Sequence, residues 1–412
     1  LVDFIDAKGA PAAPFVFACR LGYERAMSHA LSIAPRQFAR RGACPTLDQP
    51  MQTGDGLLAR LRISGGRLAP VQLRSIARLA LEHGNGTTEI TARGNLQVRG
   101  LTERSAPHFA AAVRTVVEIE RGLVVETPPL AGDDLSEIAD PRPLAQAIRG
   151  LAEPLAERLG PKVSVVVDGC GQIGLAQSKA DIRLTAAAPG RWLVCVGDGA
   201  VTLLDTASAL EAVGHVLADL AALGPTARAS DLTGDAPPKP VPPQPIAIGP
   251  LSLRTGVAFA IALPFGSVDA PGMDALCMLA AGAGVSDFRL APHHGLIAVG
   301  ADASFADAAG KLGLVTDLAD PRLRVSACIG SEGCASGYLQ ARSLAAGLAW
   351  HVAPGKHLHV SGCAKGCAHP RPADVTLVGQ AAGVGLVIGG KASDSPQSLL
   401  RTDELESALA AR

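Results

Sequence analysis

Four cysteines near the C-terminus carry the clearest chemistry in the chain. Cys328 and Cys334 have five residues between them (CIGSEGC), and Cys363 and Cys367 have three (CAKGC). Thiolates bind zinc or iron–sulfur clusters, and structural zinc favours a C-x2-4-C knuckle that the first spacing misses. Gly330, Gly333, Gly337, Gly362 and Gly366 lie among these cysteines. They would let backbone amides approach cluster sulfurs. Four independent buried thiols explain the pattern poorly, because paired cysteines in glycine-rich loops are not core chemistry. The motif reads as a [4Fe–4S] site. Cys19, Cys44, Cys170, Cys195 and Cys277 are scattered, and the last three lie in apolar patterns, as packing residues do.

A second constellation is basic. Successive strand residues alternate faces, so Thr91, Arg93, Asn95, Gln97 and Arg99 are expected on one side of a predicted strand, with Arg60 and Arg62 sharing a side of another. Four guanidinium groups on one face suit bidentate contacts with carboxylates. Lys365 lies between the last two cluster cysteines and Arg371 follows them, where either would meet substrate carboxylates or solvent. His359 and His369 flank the cluster cysteines, in positions for a role around the cluster. His293 and His294 are adjacent; on a strand they would face opposite ways and chelate one iron poorly.

These groups need elements to hold them, and a repeat supplies the plan. Gly56–Gly66 (GLLARLRISGG) reads against Gly256–Gly266 (GVAFAIALPFG) as alternating strands ending in glycine turns. Leu73, Ile76, Leu79, Ala80 and Met273, Leu276, Leu279, Ala280 then form matching helical stripes, closed by Gly84 and Gly284. Leu96 and Gly100 match Leu296 and Gly300. The copies differ in polarity: Ala260 and Ala262 replace Arg60 and Arg62, and His293, Gly295, Ile297 and Val299 replace the remaining polar set. A solvated outer face would also alternate, but a single polyanion site on one half explains the asymmetry better.

Gly169, Gly171 and Gly174 (DGCGQIG) follow an apolar run and spell a dinucleotide fingerprint, which requires a crossover helix. Only LAQSKA separates it from the next strand-like segment, so a β-hairpin loop is expected and electrons would come from a separate reductase.

The chain has 412 residues, enough for about two to three domains. Its net charge of -1 gives no basic field for nucleic acid or anionic lipid, and its 3% aromatic content argues against base stacking. No apolar stretch is read as reaching the roughly 18 residues of a membrane helix. With no secretory pattern and an odd number of cysteines, a reducing cytoplasm is expected. The organisation expected is an extension of uncertain status at 1–42, a ferredoxin-like half-domain at 43–110 and an α/β half at 111–236. A Pro-rich linker at 237–248 (PPKPVPPQP), a second ferredoxin-like half-domain at 249–312 and a cluster-binding half at 313–412 follow. The fold class is α+β, with the halves related by a pseudo-twofold.

The cysteine spacing, the duplicated half-domain and the TARGNLQ segment resemble the sulfite and nitrite reductase superfamily over about residues 43–390. Within it, ACPTLDQPMQTGDGLLARLRISGG, TARGNLQVRGL, KVSVVVDG, KADIRL and HVSGCAKGCAHP are most similar to the precorrin-3B synthase family, oxygenases of aerobic cobalamin biosynthesis. The resemblance implies a [4Fe–4S] cluster, a mononuclear non-haem iron of unknown ligands, dioxygen, the tetrapyrrole precorrin-3A and a separate NAD(P)H-dependent electron donor. It places Arg62, Thr91, Arg93 and Gln97 where the superfamily grips tetrapyrrole carboxylates. Lys162 matches the first of two lysines that hold the reductases' anion, and Ser164 stands at the second, which counts against sulfite or nitrite reduction. In a sirohaem-dependent reductase Cys367 would bridge cluster and haem iron; a non-catalytic iron–sulfur carrier would leave the arginine face without purpose.

Overall fold

The computed structural model describes residues 45–233 and 246–410. The extension at 1–42, Cys19, Cys44 and the prolines of Pro237–Pro245 lie outside the described residues.

The repeated stretches fold as duplicates. β1 (Met51–Thr53) and β2 (Gly56–Leu61) are followed by the short β3 (Arg67–Leu68), then β4 (Thr87–Ile90) and β5 (Leu96–Leu101). The helix Pro70–His83 buries Leu73, Ile76 and Ala80 of the predicted stripe, with Leu79 half-buried. In the second copy β11 (Gly249–Leu253), β12 (Gly256–Ala262), β13 (Ser267–Asp269), β14 (Asp287–Ala291) and β15 (Gly295–Val299) repeat the order. There the helix Ala270–Gly282 buries Met273, Leu276 and Ala280.

The copies exchange a strand. β3 pairs with β14 of the other copy, and β13 pairs with β4. Arg67 opposes Arg289 and Ser267 opposes Glu89, so the exchange is reciprocal about a pseudo-twofold. On the helices Arg74 donates from Nε to Asp274 Oδ1 at 2.6 Å, joining two positions that the repeat makes equivalent.

The repeat also extends beyond the ferredoxin-like layer. β6 (Val124–Glu126), β7 (Ser164–Asp168), β8 (Ile182–Ala188), β9 (Arg191–Val196) and β10 (Val201–Asp205) form one mixed sheet. β16 (Val325–Ala327), β17 (Leu358–Ser361), β18 (Ala373–Gln380), β19 (Gly383–Gly390) and β20 (Ser398–Leu400) form its counterpart in the same order. In each, the first three strands run parallel and the last two antiparallel. This is an α+β architecture with matched halves.

Four expectations are corrected. The Gly169–Gly174 stretch is not a hairpin loop, because β7 and β8 are parallel. The connection is all of residues 169–181, and an extended chain rises about 3.3 Å per residue. That length returns past the short β7 without a helix. Residues 91–95 are not strand either: Gly94 takes φ +75°, Gly94 N–H donates to Thr91 O at 2.9 Å, and a turn joins β4 to β5. His293 and His294, both at positive φ, turn the equivalent hairpin rather than extending a strand. Finally, the helix Thr206–Leu223 is long and apolar enough by length and composition to cross a membrane. Its stripe of Ala209, Val213, Leu217 and Leu220 is buried in the core against β9 and β10.

Candidate functional site

The four predicted cysteines converge at the C-terminal ends of β16 and β17. Cys328 follows β16, and Gly362 N–H, just past β17, donates to Cys328 Sγ at 3.1 Å. Burial raises the Cys367 thiol's pKa, with further upward pushes from Cys328, Cys363 and Cys334 against Lys365, so all four thiols are within electrostatic reach. The loops require glycine. A Cβ at Gly330, which has φ +64°, would strike Leu339 O, and one at Gly54 would collide with Cys334 Sγ. Gly54 lies in the β1–β2 turn, so the first ferredoxin-like half closes over the thiols of the last half. Lys365 bridges the two cysteine loops, donating from Nζ to Ser336 Oγ at 2.8 Å.

Beneath these loops three imidazoles stack. The ring of His369 lies 4.6 Å from that of His357 and 5.7 Å from that of His359. His359 is fully buried with neither nitrogen hydrogen-bonded, and burial pushes its pKa down to about 4. A neutral ring is what such a site can tolerate. Among the described residues no three His, Cys, Asp or Glu side chains converge on a single-ion site. A cluster asks for no such convergence, since each of its thiolates takes a different iron.

From Gly54 a polar line leads away along the face of the first sheet. Asp55 accepts two bonds from Arg99, at 2.8 and 2.7 Å. Arg99 also reaches Glu89 at 3.3 Å, and Glu89 accepts from Gln97 Nε2 at 2.8 Å. Gln97 Oε1 in turn accepts from Arg60 at 3.4 Å. Arg342, from the helix Ala341–Leu348, pairs with Glu89 and donates to Ser267 Oγ at 2.9 Å. Burial pushes the Glu89 carboxyl up, but Arg99, Arg342 and Gln97 together hold it below its ordinary range. The predicted four-guanidinium face is therefore corrected at Arg99, whose charge is matched inside the protein by Asp55 and Glu89.

The residues of this line do not themselves line the nearby cleft; Arg60 is linked to it through its charge on Glu126, which borders an adjoining recess. Ser64–Arg67, the segment 118–123 and the helix Arg142–Ala152 enclose about 820 Å³, within the usual range for small-molecule sites. A smaller recess of about 110 Å³ adjoins it, lined by Arg62, Arg93, Asn95, Glu126 and Arg149. Thr91 shapes the hairpin that carries Arg93, its Oγ1 accepting from the N–H groups of Arg93 and Asn95 at 3.3 and 3.0 Å. Arg62 donates to Gly122 O and Leu123 O at 2.9 and 3.0 Å, so it also holds the cleft wall. Lys162 stands apart, exposed ahead of the N-terminal end of β7. Arg149, Arg183 and Glu126 were missed in the sequence. Arg183 alternates with buried Ile182 and Leu184 along its strand, a signal available in KADIRL.

The mixed sheets hold a second unforeseen feature. Ile138 N–H donates to Gly169 O just as Tyr338 N–H donates to Gly362 O, both at 2.8 Å. Asp134 N–H donates to Leu130 O as Cys334 N–H does to Gly330 O. Val165 pairs with Ile182 as Leu358 pairs with Val375. These correspondences set Asp134 on Cys334, Cys170 on Cys363 and Gly174 on Cys367. The apparent dinucleotide fingerprint is the counterpart of the cysteine loop.

Comparison with known proteins fits this geometry. Residues 49–116 match the nitrite/sulfite reductase ferredoxin-like half domain. A precorrin-3B synthase of Sinorhizobium sp is 37% identical over 405 residues, covering 90% of this chain and 88% of its own. The chain belongs to the precorrin-3B synthase family. It is thus an oxidoreductase-type enzyme related to the nitrite and sulfite reductases. Its likeness to them is partial in sequence: a ferredoxin–nitrite reductase of Synechococcus elongatus is 34% identical over 99 residues, 22% of this chain and 19% of the reductase. In fold the likeness is broad. The NirA protein of Mycobacterium tuberculosis superposes with a TM-score of 0.62 at 21% identity, covering 86% of this family member and 79% of NirA.

Proposed function

We propose that the chain catalyses the oxygen-dependent hydroxylation of precorrin-3A in cobalamin biosynthesis, as a cytoplasmic enzyme. The reaction places one oxygen atom at the methine carbon C20 and closes a γ-lactone with the ring A acetate. The observation that carries the reading is a four-thiol centre in the same fold as a recess lined by Arg62, Arg93 and Arg149 on the first half.

Cys328, Cys334, Cys363 and Cys367 fit a [4Fe–4S] cluster: the other three thiols all act on Cys367, with an amide already donating to one sulfur and a glycine where a Cβ would intrude. When bound, such a cluster supplies one-electron transfer. The remaining work falls to the protein's own groups, which orient the substrate and set the local field. Arg60, Arg62 and Arg93 would take its carboxylates, Asn95 and Gln97 would add neutral donors, and Arg149 and Arg183 extend the set. Thr91 keeps the Arg93 hairpin in shape. Arg99 positions this face from beneath through Asp55 and Glu89. Lys365 would meet substrate only at the cluster end. The mononuclear iron has no fitting ligand set among the described residues, and no step is assigned to it. Electrons would come from a separate NAD(P)H-dependent protein.

The test is anaerobic purification with iron and sulfide counts and an organic extraction, followed by turnover of precorrin-3A under isotopically labelled dioxygen. One labelled oxygen atom in the product is expected. Extractable sirohaem at one per chain, or no incorporation, would overturn the reading in favour of a sulfite or nitrite reductase or a carrier.

A further inference from the structure

The guanidinium groups of the recess surround a carboxylate of the protein's own. Glu126 ends β6 and lines the recess beside Arg62, Arg93 and Arg149. Four cations act on it from three elements: Arg60 and Arg62 from the β2 edge, Arg93 from the hairpin, and Arg183 from β8. Glu120 shares the recess and pairs with Arg149 at 3.3 Å and with Arg62 at 3.7 Å. The equivalent strand of the other half ends differently, with Ser326 pairing with His359 as Val125's neighbour Glu126 pairs with Val166. An acid here is thus a property of the arginine-bearing half.

Without an anion, guanidinium groups crowded into a recess of about 110 Å³ would repel one another. Glu120 answers Arg149 and Arg62 at one side, and Glu126 answers the charges of Arg93, Arg62, Arg183 and Arg60. A polycarboxylate entering the recess brings another anion, and two carboxylates sharing one site do not both stay ionised. We propose that Glu126 is a place-holder for a substrate carboxylate, neutralised when a polycarboxylate tetrapyrrole binds, so that binding takes up a proton from solvent. This rests on the reading of the cleft as the tetrapyrrole site. Burial already raises the Glu126 carboxyl's pKa, and Arg93, Arg62, Arg183 and Arg60 only partly offset it. The nearby His293 and His294 are held below the ordinary imidazole range, chiefly by burial, and are neutral above pH 7. The arginines do not titrate. The other carboxyl of the recess, Glu120, keeps its own ion pairs with Arg149 and Arg62, which leaves Glu126 as the group whose protonation binding should reveal.

The experiment is a spectroscopic titration of the full chain with uroporphyrin, a polycarboxylate porphyrin, from pH 7 to 9. Wild-type affinity should fall about tenfold per pH unit as the pH rises, and Glu126→Asp should keep that slope. Glu126→Gln should flatten the slope and bind about tenfold tighter or better at the top of the range. Far-UV circular dichroism of each variant confirms folding, and the Asp variant keeps the test valid if Gln unfolds the chain. A Gln variant with the wild-type slope, or an Asp variant without it, overturns the place-holder. Wild type that does not bind uroporphyrin, or whose binding ignores Arg93→Ala, overturns the cleft reading itself and the place-holder with it.

Discussion

The loop after β7 and the loop after β17 leave equivalent strands of two matched sheets and have opposite chemistry. In the second, a glycine amide turns toward a thiol: Gly362 N–H meets Cys328 Sγ. In the first, carboxylates stand in. Asp134 accepts from Gln172 N at 2.6 Å, Gln172 Nε2 at 2.9 Å and Ser136 N at 2.8 Å. Asp168 accepts from Cys170 N at 2.9 Å and Leu175 N at 2.6 Å. A run of inward-facing amides needs acceptors whether or not sulfur is present. One loop meets that need with fixed acids and the other with thiols able to ligate iron. The lesson is that the fold requires the acceptors, and the choice between acid and thiol decides which half has side chains suited to ligating iron.

The largest effect should come from removing one thiol. Cys334→Ser or Cys363→Ser should lose the visible absorption of the cluster and most activity, because serine is a hard, poor ligand for iron in such a site. A full complement of iron and sulfide in either variant would break the comparison on its active side.

Next is the acid side. Asp134 is 1% exposed, and Asp134→Ala would leave its donors without a partner. Chemical unfolding should show a loss on the order of 3–5 kcal/mol, with iron and sulfide content unchanged. Loss of cluster without loss of stability would mean that the two loops are not independent.

The hairpins sharpen the same contrast. A hydrogen bond to a charged group is worth roughly 1.5–3 kcal/mol, so Arg93→Ala should weaken tetrapyrrole binding on the order of 10- to 150-fold. Arg62→Ala should cost as much and also loosen the wall held through Gly122 and Leu123. His293→Ala, at the equivalent hairpin position, should change affinity far less. Equal losses at both hairpins would mean that the second half also holds substrate.

The smallest effect concerns Glu137, beside Asp134, whose pKa burial pushes up to about 7. Its folded value lies above the unfolded one, so its stabilising contribution is full below about pH 4.5 and is lost as pH rises through about 7. Glu137→Gln should therefore stabilise the protein by about 1–2 kcal/mol at pH 8 and by little at pH 4.5. Urea denaturation at both pH values measures it; an equal effect at both would exclude titration as the cause.

Much of this was legible in the residues. The four cysteines announce themselves by type and spacing, and the helical stripes of the ferredoxin-like copies follow 3.6-residue periodicity. What escaped was non-local. Alternation along TARGNLQVRG suggests one strand, yet Gly94 at φ +75° breaks it, and only the long-range partners Asp55 and Glu89 reveal that Arg99 is internal. The second repeat hides because VVVDGC and LHVSGC share little beyond a glycine and a cysteine. Spacing alone likewise could not show that residues 169–181 cross over to a parallel strand.

The central claim is that one of two equivalent loops carries the redox centre. Acid-labile sulfide per folded chain, measured on anaerobically purified Cys170→Ala and Cys363→Ala side by side, tests it most directly. These substitutions fall at equivalent positions of the two loops. The account predicts about four sulfides per chain in Cys170→Ala, as in wild type, and almost none in Cys363→Ala. Sulfide lost in Cys170→Ala, or retained in Cys363→Ala, would contradict it.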